Sequence, residues 1–92
     1  MRIFKYELKV DDIQFVSIPK GAKLLTVQTQ RNIPCLWAMV DPDEEKEDIR
    51  IFMLGTGHII DDSDIQDMQY IGTFQMYGGY LVFHAFRRMK NA

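Results

Sequence analysis

Ninety-two residues, 47% of them hydrophobic, make one domain with a core of its own, too small to enclose a deep catalytic cavity. No apolar run reaches the roughly eighteen residues of a membrane-crossing helix, and the one cysteine, Cys35, excludes an internal disulfide and any multi-cysteine zinc site. The net charge of −2 hides a separation: residues 41–67 hold ten acidic side chains against Lys46 and Arg50, a local −8, and the remainder carries +6. A charge distribution of that kind can steer a partner or favour head-to-tail self-association, although acidic loops are commonly just solvated. The amino-terminal residues lack the apolar stretch of a secretory leader, so a reducing cytoplasm is the expected compartment.

Phe4, Tyr6, Leu8 and Val10 alternate with Lys5, Glu7 and Lys9, the period-two pattern of a half-buried strand. Asp11-Asp12 signals a turn, residues 13–18 read as the returning strand, and Pro19-Lys20-Gly21 closes a second turn. Residues 23–30 and 33–40 flank Arg31-Asn32, which predicts a two-residue hairpin. That register pairs Val27 with Leu36 and Leu25 with Ala38 on one face. Thr26 then meets Trp37, Gln28 meets Cys35 and Leu24 meets Met39 on the other. Pro34 cannot donate to a ladder, which predicts an edge strand at that end.

Composition predicts a loop over 41–48 and a short apolar strand over 49–54, ended by Gly55-Thr-Gly57. The stretch from His58 to Met68 fits either a bridging strand at Ile59-Ile60 or a short helical turn near 61–67, capped by Ser63 or Asp62. Gly78-Gly79 between aromatic runs predicts a type I′ hairpin, because both central residues of that turn need positive φ. Its register faces Tyr77 with Tyr80, Met76 with Leu81, Phe74 with Phe83, Thr73 with His84 and Gly72 with Ala85. One apolar side follows, and a mixed side carrying Tyr77, Tyr80, Gln75, Val82, Thr73, His84, Ile71 and Phe86. Residues 87–92 read as a frayed basic tail. Six or seven short strands with turns every eight to twelve residues predict an all-β single domain over residues 1–92. The architecture expected is a small antiparallel sandwich or partly open barrel built from hairpins.

The candidate sites are sparse. Gly55-Thr-Gly-His58 lacks the further glycines, the helix and the lysine of phosphate-binding loops. His58 with Asp61, Asp62, Asp64 and Asp67 lacks calcium-loop or zinc spacing, so no metal and no cofactor is expected. Cys35 sits in an apolar run and His84 lies mid-strand opposite Thr73, which does not make a nucleophile–base pair, so no enzyme is expected. The overall acidity and the absence of a dense Lys/Arg stripe argue against sequence-independent binding to duplex nucleic acid. Trp37 on a mixed face is either core or an interface anchor, and Tyr77 and Tyr80 at a hairpin tip lean toward contact. With Arg50, His58 and His84 as cationic or polar partners, these six residues are the expected binding set.

The segments Met1-Arg-Ile-Phe-Lys-Tyr-Glu-Leu8, Ile18-Pro-Lys-Gly-Ala-Lys23 and Pro34-Cys-Leu-Trp-Ala-Met-Val-Asp-Pro42 resemble a family of small bacteriophage proteins. So do Gly55-Thr-Gly-His58, Tyr70-Ile-Gly-Thr-Phe-Gln75 and Gly78-Gly-Tyr-Leu-Val-Phe-His84, and together these motifs cover nearly the whole chain. The resemblance implies phage origin, expression in the cytoplasm of a bacterial host and a non-virion accessory role, with no catalytic residues to carry over. The expectation that results is a non-enzymatic binding protein antagonising a host process such as antiviral defence. It would act by occluding a host protein or by sequestering a small nucleotide signal between subunits. The alternative is a structural or assembly accessory forming a homo-oligomer.

Overall fold

The computed structural model describes residues 1–89. Strands β1 (Arg2–Glu7), β2 (Ile13–Pro19), β3 (Lys23–Gln30), β4 (Ile33–Val40) and β5 (Lys46–Gly55) precede a one-turn helix α1 (Asp62–Ile65). Strands β6 (Met68–Met76) and β7 (Leu81–Arg88) follow. They form two antiparallel sheets, ordered β1-β4-β3 and β2-β5-β7-β6, with β3 lying against β6. The period-two alternation places Ile18, Val27, Leu36, Ala38, Val40, Ile51 and Ala85 inside, with no exposed surface, and Phe74 and Met53 nearly so. This is a sandwich and not a closed barrel.

The predicted closing hairpin has the register observed: Met76 pairs with Leu81, Phe74 with Phe83, Thr73 with His84 and Gly72 with Ala85. Gly78 (φ 67°, ψ 21°) and Gly79 (φ 97°) take the left-handed conformations of the expected turn, and the Tyr80 amide donates to the Tyr77 carbonyl at 3.3 Å. Tyr77 is itself left-handed (φ 53°), so Tyr77 and Tyr80 leave the ladder and do not form a cross-strand pair. Ile71 departs from the mixed face expected for it. A bulge between Tyr70 and Gly72 turns Ile71 into the core, and Tyr70 takes its place opposite Phe86 with ring centroids 5.6 Å apart.

A matching bulge shifts the β3–β4 hairpin. Val27–Leu36, Thr26–Trp37 and Gln28–Cys35 pair as expected around the left-handed Arg31 and Asn32. Beyond the bulge, however, Leu24 pairs with Ala38 and Lys23 with Met39, which leaves Leu25 exposed. Strand β4 is central in its sheet, but its pairing with β1 stops at Cys35, one residue short of Pro34. Pro34 is tolerated because its carbonyl, and hence its missing donor, faces the side where β1 has ended at Glu7; Leu8 donates to that carbonyl at 2.8 Å.

Strands β1 and β2 do not form a hairpin. β1 pairs with β4 and β2 with β5, so the chain crosses from one sheet to the other over residues 8–12. Buried Leu8 anchors the crossing, and the Gln14 side chain both accepts from the Lys9 amide (3.0 Å) and donates to the Lys9 carbonyl (2.6 Å). The loop predicted over 41–48 is shorter than composition implied: Lys46, Glu47 and Asp48 pair with Pro19, Ile18 and Ser17. Alternation from Glu47 through Ile49 to Ile51 extends the strand once β2 supplies a ladder. Of the two readings for 58–68, the helical turn forms. Its N-cap is Asp61, with no side-chain capping bond from it.

Candidate functional site

The inner faces of both sheets are spent on the core, so surface chemistry is confined to the outer faces. The outer face of the β2-β5-β7-β6 sheet is the richer one. The ladder pairs Phe15 with Arg50, Ile13 with Phe52 and Phe52 with Phe86. Pairing of Ile51 with Arg87 then sets Arg88 beside Arg50 on this face. Each guanidinium lies over a phenyl ring: Arg50 Cζ is 5.4 Å from the Phe15 centroid, and Arg88 Cζ is 5.0 Å from that of Phe52. Such contacts hold a cation in place while leaving its N–H edges able to donate.

The segment 58–64 folds over this face and encloses a groove of about 300 Å³. It is lined by apolar Phe52, Leu54 and Met68 and by the charged Arg50, Arg88, Asp61 and Asp64. Arg88 is 14% exposed at its side chain and approaches Asp64 only at 3.8 Å, with Asp64 largely in solvent. A pair of that kind contributes little to stability. The buried Nε of Arg88, like that of Arg87, has no hydrogen-bond partner among the described residues. Arg50 and Arg88 also line a smaller hollow of about 100 Å³ beyond the end of β7.

The six residues expected from sequence fall into separate places. Arg50 belongs to this groove. His84 lies on the same outer face and completes a chain of hydrogen bonds. Its Nε2 is 2.7 Å from Thr56 Oγ1, its Nδ1 is 2.9 Å from Thr73 Oγ1, and Thr73 Oγ1 is 2.6 Å from the Tyr70 hydroxyl. Hydroxyls both donate and accept, so either imidazole tautomer is satisfied, and the ring is held by the fold. The exposed His58 stacks on the flat backbone of Gly55, where a Cβ would come within 2.9 Å of its ring. His58 and Tyr80 share a second hollow of about 350 Å³ with Thr56, one of His84's partners. Tyr77 and Tyr80 are exposed at the hairpin tip, where the Tyr77 amide donates to Asn32 Oδ1 at 3.2 Å.

Trp37 lies on the outer face of the other sheet, with Lys5 Nζ 5.9 Å from its ring. Sequence reasoning missed Arg88, Phe15 and Phe52. Residues 87 and 88 were expected in a frayed tail, yet β7 continues through Arg88; residues 90–92 of that tail lie outside the described residues. The signal was present in the alternation of His84, Phe86 and Arg88 against Ala85 and Arg87.

Cys35 lies in the β1-β4-β3 sheet, away from both histidines, and is 1% exposed. Burial pushes its thiol pKa up, against a smaller downward pull from Lys5. It should therefore be alkylated by iodoacetamide at pH 8 far more slowly in the native protein than in urea, as mass spectrometry would read. The folded state favours the neutral thiol. Stability should thus begin to fall as pH rises past the unfolded thiol value of about 8.5. Among the described residues no three His, Cys, Asp or Glu side chains converge on a metal-sized site, and no helix is long and apolar enough to cross a membrane.

Together these features define a small two-sheet antiparallel sandwich with a groove bearing Arg50 and Arg88 on one outer sheet face. The chain belongs to the family described as Domain of unknown function (DUF7352), which matches it over residues 1–92. No curated protein matches the chain, and no solved structure does.

Proposed function

We propose that this chain is a phage-encoded binding protein, not an enzyme. It works in the cytoplasm of a bacterial host and antagonises a host process such as antiviral defence by sequestering a small nucleotide signal. The observation that carries the reading is the pair of guanidiniums, Arg50 and Arg88, seated on phenyl rings beside an apolar groove of about 300 Å³. Phosphate oxygens take up N–H donors in the fork geometry that arginine presents. The base lies against the apolar lining, and Asp61 and Asp64 accept hydrogen bonds from amino groups at its edge. Phage origin and the host setting rest on the sequence resemblance.

Thermal unfolding of the purified chain against a panel of mono-, di- and cyclic nucleotides at millimolar concentration tests the reading. A ligand at 100 times its Kd stabilises the fold by about 2.7 kcal/mol, which raises Tm by several degrees. Arg50→Ala should weaken that ligand by roughly ten- to a hundredfold, the effect of losing a charged hydrogen-bond donor. No Tm response to any nucleotide would remove the proposal. A second reading, a homo-oligomeric assembly accessory, is favoured by a different observation: the edge strand β2 carries neither charge nor bulge.

A further inference from the structure

Two sheets present four edge strands, β1 and β3 in one and β2 and β6 in the other. Sheet edges expose unpaired N–H and C=O groups, and proteins blunt them with charged residues, proline, bulges or covering elements. Strand β1 carries Arg2, Lys5 and Glu7. Strands β3 and β6 are each bulged and lie against one another. Strand β2, Ile13-Gln-Phe-Val-Ser-Ile-Pro19, has neither charge nor bulge, and its one proline stands at the last position. Among the described residues β2 is hydrogen-bonded within the sheet to β5 alone, and an open cleft of about 680 Å³ lies between it and β1.

The hydrogen-bond parity shows what this edge offers. Met53 donates to the Asp12 carbonyl (3.1 Å) and Lys20 donates to the Glu45 carbonyl (2.8 Å), so even-numbered residues face β5. Amides of Ile13, Phe15 and Ser17 therefore point outward, as do the carbonyls of residues 13, 15, 17 and 19. Pro19, which has no amide hydrogen, falls in the outward set and leaves the β5 ladder intact. The side chains of Ile13 and Phe15 are more than half exposed on the outer face, contiguous with the edge.

We infer that β2 pairs antiparallel with β2 of a second copy of this chain, joining the two four-stranded sheets into one across a twofold axis at Val16. In that register Phe15 exchanges hydrogen bonds with Ser17 of the second copy, and the Ile13 amide donates to the Pro19 carbonyl. No like charges meet within the strands. At the strand ends Asp12 of one copy faces Lys20 of the other, an ammonium that also lies 3.2 Å from Glu45 of its own chain, so the self-complementary register is charge-complementary there. The outer faces bearing Arg50 become neighbours. The pairing does not depend on any ligand at Arg50 and Arg88.

Light scattering coupled to size-exclusion chromatography should give twice the 10.8 kDa mass of the chain, and hydrogen exchange should show protected amides at Ile13, Phe15 and Ser17. Phe15→Lys places a lysine on an exposed edge position and should yield a monomer with those amides unprotected and an unchanged far-UV spectrum. Ser17→Pro deletes an outward donor without touching the β5 ladder and should do the same. Asp12→Lys and Lys20→Asp should each shift the protein toward monomer, and mixing the two should restore the dimer. A monomeric wild type at about 100 µM, or a dimer that survives both Phe15→Lys and Ser17→Pro, would overturn the inference. Neither result would bear on nucleotide binding, which the Tm panel reads separately.

Discussion

Gly72→Ala is expected to cost about 3 kcal/mol, the upper part of the range for forcing extra atoms into a packed interior. Its added Cβ would stand 2.8 Å from the Val27 carbonyl oxygen and 2.9 Å from the Val27 amide nitrogen. Both atoms are backbone and belong to the neighbouring sheet, so no rotamer change relieves the contact. The bulges of β3 and β6 meet here, and Gly72 lets the two sheets approach closely at their shared side. Urea unfolding should show the midpoint fall with little change in slope. Gly57→Ala serves as the contrast. Its Cβ meets nothing within 4 Å, so the cost is confined to a left-handed φ of 88°, roughly 1 kcal/mol. Equal losses at the two positions would mean that close approach of the sheets is not what Gly72 provides.

That comparison also shows which parts of the fold local sequence could reveal. Turn residues and alternation are local, so the Gly78-Gly79 turn, the strand count and the registers at Val27–Leu36 and Phe74–Phe83 were legible. Bulges are not local: whether Leu25 or Leu24 faces inward depends on how β3 meets β6. Sheet assignment is not local either. Residues 8–12 look like a hairpin turn until Leu8 is seen to follow β4 and Gln14 to hold Lys9. The site suffered from the same limit. Arg50 was recognisable as an isolated cation near an apolar strand. Arg88 became its neighbour only through the β5–β7 ladder, which no spacing in the chain announces. Trp37, the most conspicuous single residue, belongs to the opposite sheet.

The strongest separation between residues that hold the fold and residues left for contact is expected between Phe74 and Phe15. Phe74 is 2% exposed and lies parallel-offset to Phe83 with centroids 5.5 Å apart. Removing its ring by Phe74→Ala should destabilise the domain by about 3–5 kcal/mol, the transfer cost plus that of the cavity left behind. A domain of this size has only about 5–15 kcal/mol in all, so a substantial fraction of the variant should be unfolded on mild warming. Phe15 is 61% exposed, so Phe15→Ala should change the stability of the isolated fold by no more than about 0.5 kcal/mol. Chemical unfolding at low micromolar concentration, below the range where copies associate, measures both. If Phe15→Ala is as harmful as Phe74→Ala there, Phe15 is part of the core and its exposure is no guide to contact. If it is neutral, an aromatic side chain in an uncharged edge strand beside Arg50 serves something other than the fold. The Tm panel and the dimer mass then say whether that is a ligand, a second copy or both.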